Sequence, residues 1–300
     1  MKTCLRDVAG GGVWVTGCRG MLGRELVNLL AVNGVPFLGT DIECDITDSG
    51  ALVNYAERHR PDVVVNTAAY TAVDRAEDEP ERAWLLNAQG AANVATAAAA
   101  VGARIVHIST DYVFDGVADV PYNEEEKPNP INVYGATKAE GERLVCEIVP
   151  QAVVLRTAWL YGRGGRNFVE TMLGLMSRCE EIRVVDDQHG TPTSAATLSG
   201  IILALIAGYP AAAGVFHVTD GGATTWCGFA EAIAEEGVRL GLLERECRVV
   251  PCTTADYPTR ARRPAYGVLD KTKIELLLET GLVPWREALV DYLKKRGRVC

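Results

Sequence analysis

Short runs of β-branched and other apolar residues alternate with longer stretches of helical periodicity through the first half of the chain. Continuous apolar runs are typical of strands buried on both faces, whereas apolar residues that recur about every three to four positions are typical of amphipathic helices. Such alternation indicates repeated βαβ units, with helices on both faces of a parallel sheet. The predicted strands are residues 13–16, 36–40, 62–66, 104–108 and 152–156, and the predicted helices between them are residues 22–33, 49–58, 80–101 and 133–148.

The rhythm of the pattern changes after residue 157. The sequence predicts a helix at 168–178, a loop at 184–193, a late strand at 215–218 that rejoins the sheet, and further helices near 229–241, 271–279 and 285–296. We therefore predict an α/β fold, in which a doubly wound parallel Rossmann sheet is combined with a smaller, interleaved C-terminal substrate lobe. The sheet domain is predicted to comprise residues 1–156 and 193–220, and the substrate lobe residues 157–192 and 221–300.

Composition and charge narrow the class of protein. The formal net charge of −9 argues against general binding to nucleic acid or to an anionic membrane, both of which require clustered positive charge. The N-terminus lacks the apolar core of a signal peptide, and the longest apolar run, near 201–207, is shorter than the roughly 18 residues that span a bilayer. The nine cysteines form no CxxC pair and are odd in number, so we expect reduced thiols, no metal site and a cytoplasmic protein.

A glycine-rich loop follows the first predicted strand directly. Gly17, Gly20 and Gly23 stand between that strand and a predicted helix, the context in which such a loop binds a dinucleotide. Glycines permit a tight turn and close approach of the backbone to a pyrophosphate, and the helix N-terminus attracts the phosphates. Three glycines at this spacing also occur by chance in purely structural turns. The prediction of dinucleotide binding therefore rests on the position of the loop, directly after the first strand and before a helix.

The second predicted strand ends at an acidic residue. Asp41 stands 18 residues beyond Gly23, where a carboxylate accepts hydrogen bonds from the adenosine ribose and favours NADH. Arg19 and Arg24 lie close in sequence to the glycine loop and could instead bind the 2′-phosphate of NADPH. The sequence therefore leaves the choice between NADPH and NADH open.

A tyrosine and a lysine four residues apart are the candidate catalytic pair. Tyr134 and Lys138 lie on one predicted helix, on the same face and about 6 Å apart along its axis. A lysine ammonium favours the tyrosinate, and we expect it to lower the pKa of Tyr134 towards the working range. Thr110, at the end of the fourth strand, is the candidate partner for the substrate carbonyl. Ser109 competes for that role, and strand alternation presents only one of the two to the site.

Together these features resemble the extended short-chain dehydrogenase/reductase superfamily. Further segments are similar to the dTDP-4-dehydrorhamnose reductases, and the likeness extends from about residue 13 to residue 285. These segments are VNTAAYTAVD (65–74), AEDEP (76–80), STDYVF (109–114), NVYG (132–135), RTAWLY (156–161) and YPTRARRP (257–264).

The resemblance implies reduction of the C4 ketone of dTDP-4-dehydro-L-rhamnose, the last step of dTDP-L-rhamnose synthesis, with Tyr134 as proton donor. It implies that Thr110, Asp111 and Trp159 contact the substrate. Lys138 and Tyr134 would also contact the nicotinamide ribose. The other implied cofactor contacts are Gly20, Met21, Leu22, Asp41, Asp45, Ile46, Ala68, Ala69 and Thr71.

Several of these assignments have structural alternatives. Trp159 is either a platform for the sugar or a core tryptophan, and Asp45 is either an adenine contact or a turn residue. Asn167, Arg262 and Arg263 are candidates for binding the thymidine diphosphate, since arginine grips phosphate with two charge-assisted hydrogen bonds. They could equally be solvated loop residues.

Two further expectations concern assembly and alternatives to catalysis. Some family members form a dimer around a magnesium ion held by glutamates. Glu25 matches one of those glutamates, but Ala196 and Lys295 stand near the positions of the others. We therefore expect that a homodimer of this protein is not bridged by that metal. The first dozen residues precede the family's usual start and are expected to be a frayed extension.

The rival functions are a non-catalytic regulatory subunit of the methionine adenosyltransferase type and another nucleotide-sugar enzyme, such as an epimerase or a 4,6-dehydratase.

Overall fold

A six-stranded parallel sheet forms the centre of the computed structural model, which describes residues 11–296. The N-terminal extension predicted to be frayed lies almost wholly outside these residues. The strands of the central sheet are β1 (Val13–Thr16), β2 (Phe37–Thr40), β3 (Val63–Asn66), β4 (Arg104–Thr110), β5 (Val153–Thr157) and β10 (Gly214–His217). Six further strands form three two-stranded ribbons, namely β6 (Leu160–Tyr161) with β9 (Thr193–Ser194), β7 (Glu181–Val185) with β12 (Arg248–Cys252), and β8 (His189–Gly190) with β11 (Thr224–Thr225).

Helices cover both faces of the sheet and build the smaller lobe. Those before residue 150 are α1 (Met21–Val32), α2 (Ser49–His59), α3 (Val73–Ala76), α4 (Pro80–Trp84), α5 (Gly90–Val101) and α6 (Val133–Ile148). Those after it are α7 (Phe168–Met176), α8 (Ala195–Gly208), α9 (Trp226–Arg239), α10 (Thr272–Leu278) and α11 (Trp285–Arg296).

The strand order places a switch point beside β1. The sheet runs β2-β1-β3-β4-β5-β10, so the chain moves outward from β1 to β2 and then returns to the other side for β3. In an open parallel sheet, ligands bind outside the carboxyl ends of the strands at such a reversal. The predicted α/β class, with a doubly wound parallel sheet, is confirmed.

Two apolar layers sandwich the sheet. On one face α1 and α8 pack on strand residues and on each other, with Leu26 and Ile202 fully buried. On the other face α2, α5 and α6 cover the sheet, and the alanines of α5 allow close helix approach to Trp14 and Val64. A third apolar cluster, which includes Tyr161, Phe229 and Leu289, forms the core of the smaller lobe. These clusters support the predicted division into domains, which stays a prediction.

Most predicted elements are present with shifts of one to three residues at their ends, but two predictions are wrong and one long helix was missed. The predicted helix 80–101 is interrupted by a π-helical turn, Leu85–Gln89. The segment 184–193, predicted as a loop, contains the end of β7 and all of β8. Helix α8 was not predicted, because its uniformly apolar sequence shows little helical periodicity.

Candidate active site

The glycine loop forms a close-packed turn at the carboxyl end of β1. Gly17 has a φ of +67°, and a β-carbon there would lie 2.8 Å from the backbone of Ala68. A β-carbon at Gly23 would lie 2.3 Å from the Gly17 carbonyl oxygen. Gly20 begins α1 without any side-chain cap, so the first N–H groups of this 12-residue helix are left for an anionic ligand. The loop therefore fits the pyrophosphate of a dinucleotide.

The neighbouring cofactor candidates lie around the same switch point. Met21 and Leu22 form the first turn of α1, and the Leu22 side chain is buried, so it offers only its backbone to a ligand. Ala68, Ala69 and Thr71 follow β3, and Ala68 lies directly beside Gly17.

Two further cofactor candidates follow β2. Asp45 is exposed and accepts a hydrogen bond from the Thr47 N–H at 2.9 Å, the geometry of a turn residue. Ile46 is buried against Gly90 of α5. The structure therefore gives both residues a local structural role and leaves their contact with adenine a prediction.

Charged side chains of opposite sign meet at the end of β2. Asp41 accepts a hydrogen bond from the Arg19 N–H at 2.9 Å and another from the Ile42 N–H at 3.0 Å. The Arg19 guanidinium forms an ion pair with Glu43, a residue that the sequence analysis did not consider. The carboxylate expected to bind the adenosine ribose is thus already tied to the glycine loop.

The three catalytic candidates come together at the carboxyl end of β4. Thr110 ends this strand, and its hydroxyl lies near the phenol of Tyr134 in the first turn of α6, close enough to affect the pKa of that phenol. Ser109 points the other way and donates to Glu142 of α6. Strand alternation therefore separates the two hydroxyls as expected, and Thr110 is the one that meets the tyrosine.

Lys138 lies one turn beyond Tyr134 and is buried, with 2% of its surface exposed. Its ammonium donates to the Ile108 carbonyl oxygen at 2.6 Å. Burial lowers the pKa of Lys138 to about 8, and the carboxylate of Glu142 opposes this shift.

Burial raises the pKa of Tyr134, while the nearby Thr110 hydroxyl opposes that rise. The expectation that Lys138 lowers the pKa of Tyr134 is not met in this structure, because the Lys138 ammonium is directed to the Ile108 carbonyl. A raised pKa keeps the phenol protonated at neutral pH. The phenol therefore carries the proton that a reduction requires, and the raised pKa makes Tyr134 a weaker acid than a free tyrosine.

Asp111 completes the polar group beside Thr110. The Thr110 hydroxyl donates to its carboxylate at 2.9 Å, and Asp111 is 3% exposed. Burial raises the pKa of Asp111 to about 7, although the hydrogen bonds from Thr110 and from the backbone act against this. Gly267 packs directly on this carboxylate, since a β-carbon there would lie 2.7 Å from an Asp111 oxygen.

Trp159 has backbone geometry that is unusual for its residue type. Its φ of +46° lies in the left-handed region, which costs free energy for a bulky side chain. The indole stacks on Trp226 with ring centroids 3.6 Å apart. A β-carbon at Gly190 would approach the same indole to 2.6 Å. The ring is thus clamped between two elements of the smaller lobe, and only its remaining surface is available to a sugar.

The diphosphate candidates differ in how free their side chains are. Asn167 caps α7 and donates to the Gly162 carbonyl at 2.8 Å, which gives it a structural role. Arg263 pairs with Asp74 at 2.9 Å and donates to the Tyr112 hydroxyl at 3.1 Å. The Arg262 side chain is exposed. Contact of all three with substrate stays a prediction.

Two neighbours of the catalytic group were missed by sequence reasoning. The Tyr112 ring packs edge-on against the Tyr134 ring, with centroids 5.7 Å apart. Glu142 stands four residues after Lys138, buried in a salt bridge with Arg156 at 2.7 Å. The same four-residue helical spacing that links Tyr134 to Lys138 could have found Glu142.

Comparisons with known proteins agree with this geometry. Residues 12–297 match the family described as "RmlD substrate binding domain". The dTDP-4-dehydrorhamnose reductase of Streptomyces griseus is 45% identical over 92% of this chain and 91% of that protein. A protein of Streptomyces antibioticus, named a probable dTDP-4,6-dihydroxy-2-methyloxan-3-one 4-ketoreductase, is 44% identical over 92% of each. The crystal structure of the Bacillus anthracis dTDP-4-dehydrorhamnose reductase in complex with NADP has a TM-score of 0.89 at 37% identity, covering 94% of this chain and 98% of that one.

Proposed function

The chain belongs to the RmlD substrate-binding family of dTDP-4-dehydrorhamnose reductases, and from this premise we propose that it reduces the C4 ketone of dTDP-4-dehydro-L-rhamnose with NADPH or NADH. The product is dTDP-L-rhamnose. The observation that carries the proposal is the convergence of Thr110, Tyr134 and Lys138 at the end of β4, on the side of the sheet that holds the glycine loop. A regulatory subunit without catalysis would not require a buried lysine beside a partly buried tyrosine.

The residues would divide the chemistry as follows. The bound nicotinamide supplies a hydride to C4 of the sugar. Tyr134 gives its phenol proton to the C4 oxygen, so that the ketone becomes a hydroxyl and the tyrosine becomes a phenolate. The Lys138 ammonium, which donates to the Ile108 carbonyl in this structure, would bind the nicotinamide ribose and hold the cofactor beside Tyr134. The Thr110 hydroxyl orients the ketone oxygen towards Tyr134.

The site also suggests how the ligands are oriented. The uncapped N-terminus of α1 would bind the cofactor pyrophosphate. We propose that Asp111 and Trp159 contact the sugar and that the exposed side chain of Arg262 reaches the diphosphate. Arg263, already paired with Asp74, would act by holding its loop against the Tyr112 side of the site.

Localisation and assembly are further proposals. Within residues 11–296, no helix is long and apolar enough to cross a bilayer. The seven cysteines in this part of the chain are all free, which supports a reducing compartment such as the cytoplasm. We propose that any homodimer forms without magnesium, since Ala196 and Lys295 offer no carboxylate beside Glu25.

The decisive experiment is the loss of nicotinamide absorbance when purified protein meets the dTDP-4-keto sugar and either reduced cofactor. Tyr134→Phe should lower turnover by at least ~10²-fold, because it removes the general acid. Its affinity for the cofactor should change little. Tyr209→Phe, which removes a hydroxyl from the end of α8, is the matched control and should keep full activity. No turnover by the wild type with either cofactor would disprove the reductase proposal.

A second dTDP-4-keto sugar is also a candidate substrate. The Streptomyces antibioticus relative is named for reduction of a different dTDP-sugar ketone and is almost as similar as the Streptomyces griseus reductase. Measurement of kcat/KM for both sugars, at the same cofactor concentration, separates the two functions. We expect the rhamnose precursor to be preferred.

A further inference from the structure

The end of β2 carries an ion pair that the cofactor must encounter. In a Rossmann fold the adenosine ribose lies at this strand end, beside the glycine loop, and its 2′ position distinguishes NADPH from NADH. Here the Cys18 N–H donates to the Thr40 carbonyl oxygen at 3.0 Å, which fixes the loop against the strand end. Any group at the 2′ position therefore lies close to Arg19, Asp41 and Glu43.

Three interactions hold these side chains in a fixed relation. Asp41 accepts a hydrogen bond from the backbone N–H of Arg19. This carboxylate therefore binds the Arg19 amide and leaves the Arg19 guanidinium to another partner. Glu43 uses one oxygen to accept from the Asp41 N–H at 3.0 Å and the other to pair with the Arg19 guanidinium. The Arg24 side chain donates to the Arg19 carbonyl oxygen and holds the loop from the other side.

We propose that Glu43 is a specificity-determining residue, which holds the Arg19 guanidinium in an ion pair that the 2′-phosphate of NADPH must displace. The ribose hydroxyls of NADH carry no charge and make no such demand on the Arg19 guanidinium. Glu43 thereby lowers the affinity for NADPH and leaves that for NADH unchanged. This inference rests on the proposed use of a nicotinamide dinucleotide.

Both partners are about half exposed, with side-chain exposures of 54% for Arg19 and 49% for Glu43. Ion pairs of this exposure are weak, so a doubly charged phosphate can compete for the arginine. The pair therefore modulates NADPH binding without preventing it.

The test is direct binding of NADPH and NADH, measured by calorimetric titration at low ionic strength. Glu43→Gln should tighten NADPH by about two- to fivefold, the range that exposed ion pairs contribute, and should leave NADH unchanged. Arg19→Ala should weaken NADPH, and in that background Glu43→Gln should have less than about a third of its effect in the wild type. Titration with 2′,5′-ADP and 5′-ADP should give the same contrast without the nicotinamide.

Glu57→Gln is the matched control. Glu57 is an exposed glutamate near the end of α2, at the amino-terminal edge of the strands and therefore on the side of the sheet opposite to the glycine loop. Glu57→Gln removes the same charge as Glu43→Gln and should change the affinity for neither NADPH nor NADH.

Three results would overturn the inference. An equal gain for NADH and NADPH would mean that Glu43 acts on the loop as a whole. An undiminished gain in the Arg19→Ala background would mean that Glu43 repels the phosphate directly and that the ion pair has no role. No change with Glu43→Gln, in a protein that binds both cofactors, would remove Glu43 from recognition altogether. Failure of the wild type to bind either cofactor would instead disprove the proposed function.

Discussion

The buried pair of Glu142 and Arg156 ties the catalytic helix to the sheet. Arg156 on β5 donates to Glu142 through Nε at 3.0 Å and 3.1 Å and through a terminal nitrogen at 2.7 Å. Glu142 also accepts from Ser109 on β4. Both charged side chains are under 10% exposed. Replacing Glu142 by glutamine leaves the Arg156 guanidinium buried without its counter-charge.

The expected cost follows from this burial. Removing one partner of a buried pair typically costs about 3–5 kcal/mol, a large share of the roughly 5–15 kcal/mol by which domains are stable. At about 2–4 °C per kcal/mol for chains somewhat shorter than this one, Glu142→Gln should lower Tm by roughly 6–20 °C. The measurement is thermal unfolding followed by circular dichroism.

A neighbouring exposed glutamate provides the matched control. Glu147 lies on the same helix and pairs with Arg143 at 2.7 Å, but its side chain is 66% exposed. Glu147→Gln should cost less than about 1 kcal/mol, since exposed pairs contribute little. If Glu142→Gln lowers Tm no further than Glu147→Gln, the buried pair does not stabilise the fold as argued.

A double replacement tests the cause of the loss. Glu142→Leu combined with Arg156→Met removes both charges and keeps similar volume, so it should recover most of the stability. The Ser109 hydroxyl would lose its acceptor, at a cost of about 1–3 kcal/mol. If the double variant is as unstable as Glu142→Gln, the uncompensated charge is not the source of the loss.

Three other changes have expected outcomes. Because the pKa of Lys138 is lowered to about 8, kcat/KM should fall as the pH rises through about 8, and a profile that stays flat up to about pH 10 would contradict a role for the ammonium. The pKa of Asp111 is raised from 3.8 to about 7, so the stability that its protonated form provides is full below about pH 3.8 and is lost as the pH rises to about 7. Asp111→Asn should therefore raise Tm more at about pH 8 than at about pH 4. An equal change in Tm at both pH values would refute the shift. In Gly190→Ala the new methyl group should press on the Trp159 indole, and Trp226 on the other side prevents the indole from moving away. The substitution should raise KM for the sugar and leave the affinity for the cofactor unchanged. An unaltered KM would count against Trp159 as a substrate contact.

The parts of the fold that repeat a simple pattern could be predicted from the sequence. The strands of the central sheet are apolar runs set between helices, so their position and parallel order follow from periodicity. Helix α8 could not be predicted in this way, because it is buried against α1 and needs no polar face. Strands β7 and β12 pair across more than 60 residues, a contact that local pattern does not contain.

The candidate site shows the same limit. Spacing on one helix identified Tyr134 and Lys138, and strand alternation separated Thr110 from Ser109. The direction of the Tyr134 pKa could not be predicted, since it depends on burial and on the Lys138 ammonium bonding to a backbone carbonyl. The pairing of Arg19 with Glu43 likewise depends on how the loop after β2 folds back.

The late return of the chain to the sheet affects how the protein is made. Strand β10 pairs with β5 only after nearly 60 intervening residues have been synthesised, and α8, which covers α1, is also absent until then. A nascent chain that stops after β5 would expose Leu26 and the other apolar residues of the α1 layer to water. The glycine-loop half is therefore not expected to fold on the ribosome by itself, and cofactor binding should appear only when synthesis has passed β10.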